Sequence, residues 1–187
     1  MEIRPLKLDG TYAVILSPRK DQRGHFGRLF DAEIWAAHGL PVVFAQENEA
    51  YTAAKHTLRG LHFQRPPFAE TKIVRCARGA VLDVFVDIRA GSPTYGKWDS
   101  MILSADEPTW VVIPKGFAHG YCTLTPDTLF QYKVDAVHTP AAEAGLPWDD
   151  PDLGIDWPLR DPILSARDRG HPRLRDFASP FIDGIEW

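Results

Sequence analysis

Between residues 42 and 134 the chain is a succession of short runs of branched and aromatic residues, each closed by glycine, proline or polar turn chemistry. The runs fall at 42–48, 58–64, 98–103, 109–113, 119–123 and 129–134, with two more between 73 and 88 broken at Arg78-Gly79. Strands this short and this frequent, with hardly any helical period, predict an all-β barrel or sandwich. Upstream, residues 11–16 read as a strand, Asp21 to Gly24 as a turn and residues 25–30 as a short extended segment. One helix is expected, over 31–39. Asp31 can cap it, Glu33 suits its first turn, and Gly39 can end it ahead of Pro41. From Pro140 onward, prolines at 147, 151, 158 and 162 punctuate an irregular, aspartate-rich tail. The expected organisation is one domain, 1–187, with its barrel core over about 42–135 and a tail, 140–187, wrapped around it.

Composition narrows the classes. With 44% hydrophobic residues the chain can bury a full core. A net charge of -4 and a pI near 5.9 offer no general electrostatic attraction for nucleic acid or an anionic membrane. No segment reads as a signal peptide or a membrane span, so a cytoplasmic protein is expected. Cys76 and Cys122 lack metal-knuckle spacing and sit in apolar runs, as small core residues do.

The densest polar chemistry lies in the stretch from Leu58 to Val74, which carries Arg59, His62, Gln64, Glu70 and Lys72 on two strand-like runs around Pro66-Pro67. Alternation sends Leu58, Gly60, His62 and Gln64 to one face and Arg59, Leu61 and Phe63 to the other. A diproline cannot continue a ladder, so the chain turns there. The stretch can be a pocket wall or a half-exposed hairpin. Along 81–88, Leu82, Val84, Val86 and Ile88 form one apolar face, while Asp83 and Asp87 share the other with Val81 and Phe85. Buried aspartates need partners or water, so they imply a polar cavity or a sheet edge.

Nucleophile elbows, P-loops, dinucleotide fingerprints and C-x-x-C pairs are absent. Pro114-Lys115-Gly116-Phe117-Ala118-His119 has the P-x-G-x-x-H form typical of cupins, small β-barrels in which this histidine often binds metal. The matching upstream residues are His62, Gln64 and Glu70. Glutamine is a poor ligand for divalent transition metals, so the metal is expected to be lost, with a quartet of His62, Gln64, Glu70 and His119 as the alternative.

A longer series of motifs resembles one family. Arg59-Gly60-Leu61-His62-Phe63-Gln64, Lys72, Arg78-Gly79-Ala80-Val81, Asp83 to Arg89 and Ser92-Pro93-Thr94-Tyr95-Gly96 resemble dTDP-4-dehydrorhamnose 3,5-epimerases, in that order. So do Ile113 to Gly120, Tyr132-Lys133, Trp148 through Leu159, and Ile163-Leu164-Ser165-Ala166-Arg167-Asp168. The resemblance implies a cupin-type double-stranded β-helix, a homodimer, and inversion of carbons flanking the ketone of a nucleotide-linked 4-keto-6-deoxyhexose, with no metal or other cofactor. Inversion next to a ketone needs a base, a partner for the enolate oxygen and an acid on the opposite face. By resemblance, His62 is the base, Asp168 its orienting carboxylate, Lys72 the cation near the oxygen and Tyr132 the acid; Asp83 is a weaker alternative orienter.

Substrate-binding positions carried over the same way are Arg23, Phe26, Gln46, Asn48, Arg59, His119, Glu143 and Arg167. Departures cluster. Arg28 stands where the pattern has glutamate, Glu47 replaces an aspartate, and Glu49-Ala50-Tyr51 replaces His-Ser-basic. Val137-His138 replaces a tyrosine pair. Arg28 is therefore expected in the nucleotide wall, where a donor-only group in place of a carboxylate would shift base preference. The default substrate is dTDP-4-dehydro-6-deoxyglucose, inverted at C3 and C5. The alternatives are a mono-epimerase on a GDP- or CDP-linked sugar and a metal-dependent cupin.

Overall fold

A computed structural model describes residues 1–185. Strands β1 (Glu2–Pro5), β2 (Tyr12–Ile15), β3 (Arg19–Asp21) and β4 (Gly24–Phe26) precede helix α1 (Ala32–Ala37). Then follow β5 (Gln46–Thr52), β6 (Leu58–Gln64), β7 (Lys72–Arg78), β8 (Ala80–Asp87), β9 (Trp98–Ser104), β10 (Thr109–Ile113), β11 (Phe117–Thr123), β12 (Thr128–Val134) and β13 (Glu143–Gly145). They form a six-stranded sheet, β1-β2-β10-β7-β12-β5, a five-stranded sheet, β13-β6-β11-β8-β9, and the separate hairpin β3-β4. The result is a cupin-type jelly roll of two open sheets, not a hydrogen-bonded closed barrel.

Between the sheets lie Val74, Cys76, Val81, Phe85, Phe117, Tyr121 and Phe130. The back of the six-stranded sheet is covered by α1, whose Trp35 packs with Val14, Ile73 and Trp110. The back of the five-stranded sheet is covered by the tail through Leu153, Trp157 and Phe181. With both backs covered, β11 is buried along its whole length. Such strands lose the polar alternation of a half-solvated sheet. The tail also contributes β13, which pairs with β6 beside the site. Among the described residues no helix is long and apolar enough to cross a membrane.

Several local expectations change. The Asp31 side chain accepts from the Ile34 N–H, and Gly39, at φ 68, follows the helix end, as expected. Residues 42–45 are not strand; β5 starts at Gln46. The segment 25–30 is extended only to Phe26. Glycine-free β8 keeps its alternation, but neither aspartate lies on a sheet edge, because β8 runs between β11 and β9. Asp83 faces His119 at 2.7 Å. Asp87 ties a turn, accepting from Arg89, Ser92 Oγ at 2.6 Å and Thr94 Oγ1 at 2.7 Å.

Strands β6 and β7 do not form a hairpin. The diproline turn carries the chain from one sheet to the other, so His62 and Lys72 start on opposite walls. Strict alternation on β6 also fails. His119 pairs with His62 but Tyr121 with Arg59, so three steps on β6 oppose two on β11. This bulge moves Leu58 into the same outer core as Leu61 and Phe63 and puts Arg59 beside His62 and Gln64. Gly60 makes it feasible: its φ is 136, and a Cβ there would stand 2.4 Å from Gly120 Cα. Gly60→Ala is therefore expected to destabilise by about 1–3 kcal/mol, the usual cost of overpacking. A denaturation midpoint equal to wild type would rule out this close approach.

Candidate active site

The facing sheets and the tail leave a cleft of about 820 Å³. His62 and Gln64 enter it from β6 and His119 from β11, on the five-stranded sheet. Lys72, Tyr132, Gln46 and Asn48 enter from β7, β12 and β5, on the six-stranded sheet. β13 adds Glu143, and the tail closes the space with Ser165, Arg167 and Asp168.

At its centre, His62 Nε2 and Asp168 Oδ1 are 2.5 Å apart. Asp168 is buried, and its other oxygen accepts from Ser165 Oγ at 2.8 Å. Burial alone would raise the Asp168 pKa, but hydrogen bonds from His62 and Ser165 outweigh it and hold the carboxyl below its usual range. An ionised carboxylate only accepts, so the shared proton belongs to Nε2 and Nδ1 is left as a base. Burial pushes the His62 imidazole below its ordinary pKa, and the Asp168 hydrogen bond restores only part of the shift. At neutral pH the ring is uncharged.

Lys72 Nζ donates to the His62 carbonyl at 3.2 Å and pairs with Glu70 at 3.3 Å. Tyr132 is half-buried, and desolvation followed by the nearby Glu70 charge raises its pKa against the pull of Arg59. It therefore remains a protonated phenol, on the wall opposite His62. Arg59 reaches Thr52 Oγ1 at 3.4 Å. His119 leans on Phe130, its rings 6.2 Å apart and 19° from parallel. Glu143 and Arg167 form an ion pair at the rim.

The cupin metal quartet does not fit these side chains. Gln64 Oε1 accepts the Thr139 N–H at 2.6 Å, and its amide nitrogen holds Phe68 O and Glu70 Oε2. Gln64 is a structural tie, and His119 Nε2 is committed to Asp83. Asp83 thus orients His119, while the carboxylate on His62 is Asp168.

Three expected binding residues lie elsewhere. Arg23 pairs with Asp21 at 2.5 Å at the hairpin tip. Phe26 is 73% exposed, and Arg28 pairs with the helix-capping Asp31 at 2.8 Å. Neither lines the main cleft; both border a smaller hollow beside Met1 and Ser17. Of the departures on β5, only Ala50 faces the cleft; Glu49 holds Gln131 and Tyr51 holds Asp127 on the other side. Arg28, expected in a nucleotide wall, thus lies outside this cleft, paired with the residue that caps α1. Sequence reasoning missed Ser165, His138 and His171. Ser165, three residues before Asp168, carries the one usable signal, a spacing suited to a local side-chain bond.

The sequence profile of the dTDP-4-dehydrorhamnose 3,5-epimerase family matches residues 5–176. A dTDP-4-dehydrorhamnose 3,5-epimerase from Sinorhizobium fredii is 45% identical over 170 residues, covering 89% of this chain and 87% of the relative. The crystal structure of such an enzyme from Bacillus anthracis, with TDP and PPi bound, superposes at a TM-score of 0.90 with 39% identity, over 92% of this chain and 99% of that one. A dTDP-6-deoxy-D-glucose-3,5-epimerase from Legionella pneumophila, solved with dTDP-4-keto-L-rhamnose, gives a TM-score of 0.91 and 34% identity over 100% of this chain and 99% of that one. Likeness at this level over nearly the whole length matches what the motifs and the jelly roll imply: the chain belongs to the dTDP-4-dehydrorhamnose 3,5-epimerase family.

Proposed function

We propose that this protein converts dTDP-4-dehydro-6-deoxyglucose to its C3,C5 epimer by proton removal on one face and proton return on the other. The observation that carries the reading is the His62–Asp168 pair on one wall with the protonated Tyr132 on the other. His62 Nδ1 takes the hydrogen next to the ketone, and Asp168 steadies the imidazolium that forms. The carbanion delocalises onto the carbonyl oxygen, where the ammonium of Lys72 offsets the charge. Tyr132 then protonates the carbon from the opposite side, and solvent exchange resets both groups. Arg59, His119, Gln46, Asn48, Glu143 and Arg167 supply the wall for the nucleotide diphosphate, with the fork of Arg59 suited to phosphate oxygens.

Incubating the substrate with enzyme in deuterium oxide tests this by NMR. Deuterium is expected at both C3 and C5 of inverted product. Label at C3 or C5 alone makes the protein a mono-epimerase, and no label at either carbon sinks the reading.

Arg23 and Phe26 lie exposed outside their own chain's cleft, which supports a homodimer in which the β3-β4 hairpin reaches the cleft of a second copy. Sedimentation is expected at about twice the chain mass of 21.0 kDa. A monomer at working concentration would withdraw Arg23 and Phe26 from the site.

A further inference from the structure

The tail that supplies Asp168 also brings His171 against His62. Gly145, the register partner of His62 on β13, makes the room: a Cβ at 145 would lie 2.6 Å from His171 Nε2. The two imidazoles meet edge to face, centroids 5.7 Å apart and 72° between planes. His171 Nε2 is buried and has no hydrogen-bond partner. One donor atom from each of His62, Asp168 and His171 lies within 4.8 Å of the other two. None of the roles assigned above uses His171.

We propose that His62, Asp168 and His171 form a site for one divalent transition-metal ion of the zinc type, and that filling it switches the enzyme off. Two imidazoles and a carboxylate are a normal zinc donor set, with ligand distances of about 2.0–2.2 Å and the fourth position left for water or an anion. Of the three, His62 and Asp168 line the cleft. Burial keeps both imidazoles neutral, the form that ligates, and Asp168 is already ionised. Ser165 holds the second Asp168 oxygen, as outer-shell partners of metal sites do. The nearby cations are matched, Arg167 by Glu143 and Lys72 by Glu70. The ion takes the place of the proton on His62 Nε2, that proton moves to Nδ1, and the ring is left with no free nitrogen, so proton abstraction stops. This site shares only His62 with the cupin quartet, in which the Gln64 amide is tied to backbone and to Glu70 and His119 Nε2 to Asp83.

The test is calorimetry with Zn²⁺ and absorption with Co²⁺ on chelator-treated protein. Neither needs turnover, so both report on the site even if the epimerase reading fails. One ion per chain is expected, with its affinity lowered at least about tenfold in His171→Ala, as loss of a ligand or its support produces. His171→Gln, which keeps polar bulk, should weaken it as well, and guards against a folding defect in the alanine variant. His38→Ala, at the exposed end of α1, should leave binding unchanged. In assays, Zn²⁺ should inhibit wild type, a chelator should restore the rate, and His171→Ala should need at least about tenfold more Zn²⁺ for half-inhibition of its own rate. Absence of one-to-one binding, or equal affinity in both His171 variants, overturns the site. Binding without inhibition overturns the switch.

Discussion

His62→Ala is expected to lower kcat/KM by about 10²–10⁴-fold, the usual contribution of a positioned general base. That factor corresponds to about 3–5 kcal/mol of barrier at 1.36 kcal/mol per tenfold. The fold should persist, because the ring faces the cleft and is not part of the apolar core, although buried Asp168 loses one of its two side-chain donors and some stability with it. The pH profile supplies a second readout. The base works only when uncharged, so wild-type kcat/KM should fall as the solution becomes more acidic than the imidazole pKa. Burial sets that pKa below the ordinary histidine value, so the acid limb belongs below about pH 6.5. In His62→Ala this limb should vanish along with the rate. A variant that retains most of the activity, or the same acid limb, would take His62 out of the role.

Tyr132→Phe should separate two events that wild type couples. With His62 intact, the hydrogen next to the ketone can still leave and return on the same face, so deuterium continues to enter recovered substrate. Inverted product should fall by about 10²–10⁴-fold, because no acid remains on the six-stranded wall at that position. Among the described residues the hydroxyl makes no hydrogen bond, and the phenylalanine ring keeps the packing of Tyr132 against the inner core. The check is a time course of exchange against inversion by NMR. Inversion at the wild-type rate would mean that another group, or water, delivers the proton. Equal loss of exchange and inversion would place Tyr132 in the first step instead.

The sequence by itself determined most strands of the barrel core and the single capped helix, and its motif series singled out His62, Lys72, Tyr132 and Asp168, whereas β1, β3 and β13 were not read from it. The strands and the helix follow from side-chain alternation, turn chemistry and capping, which act within a few residues of the chain, and the four residues from the resemblance of the motif series. Only the tertiary structure decided which strands share a sheet. The turn after β6 reads equally well as a hairpin or a crossover, because the choice depends on distant partners: β11 and β13 for β6, β10 and β12 for β7. Likewise, period-two counting put Arg59 on the wrong face, since a bulge shows only once β6 is laid against β11. The burial of Asp83 and Asp87, the committed amide of Gln64, and the retreat of Arg28 to its helix cap depend on neighbours far along the chain or outside the motifs. His171 illustrates the limit most clearly. Its place beside His62 requires the tail to fold back 109 residues later over a glycine on β13, and no local pattern records which side chain such a closure will bury.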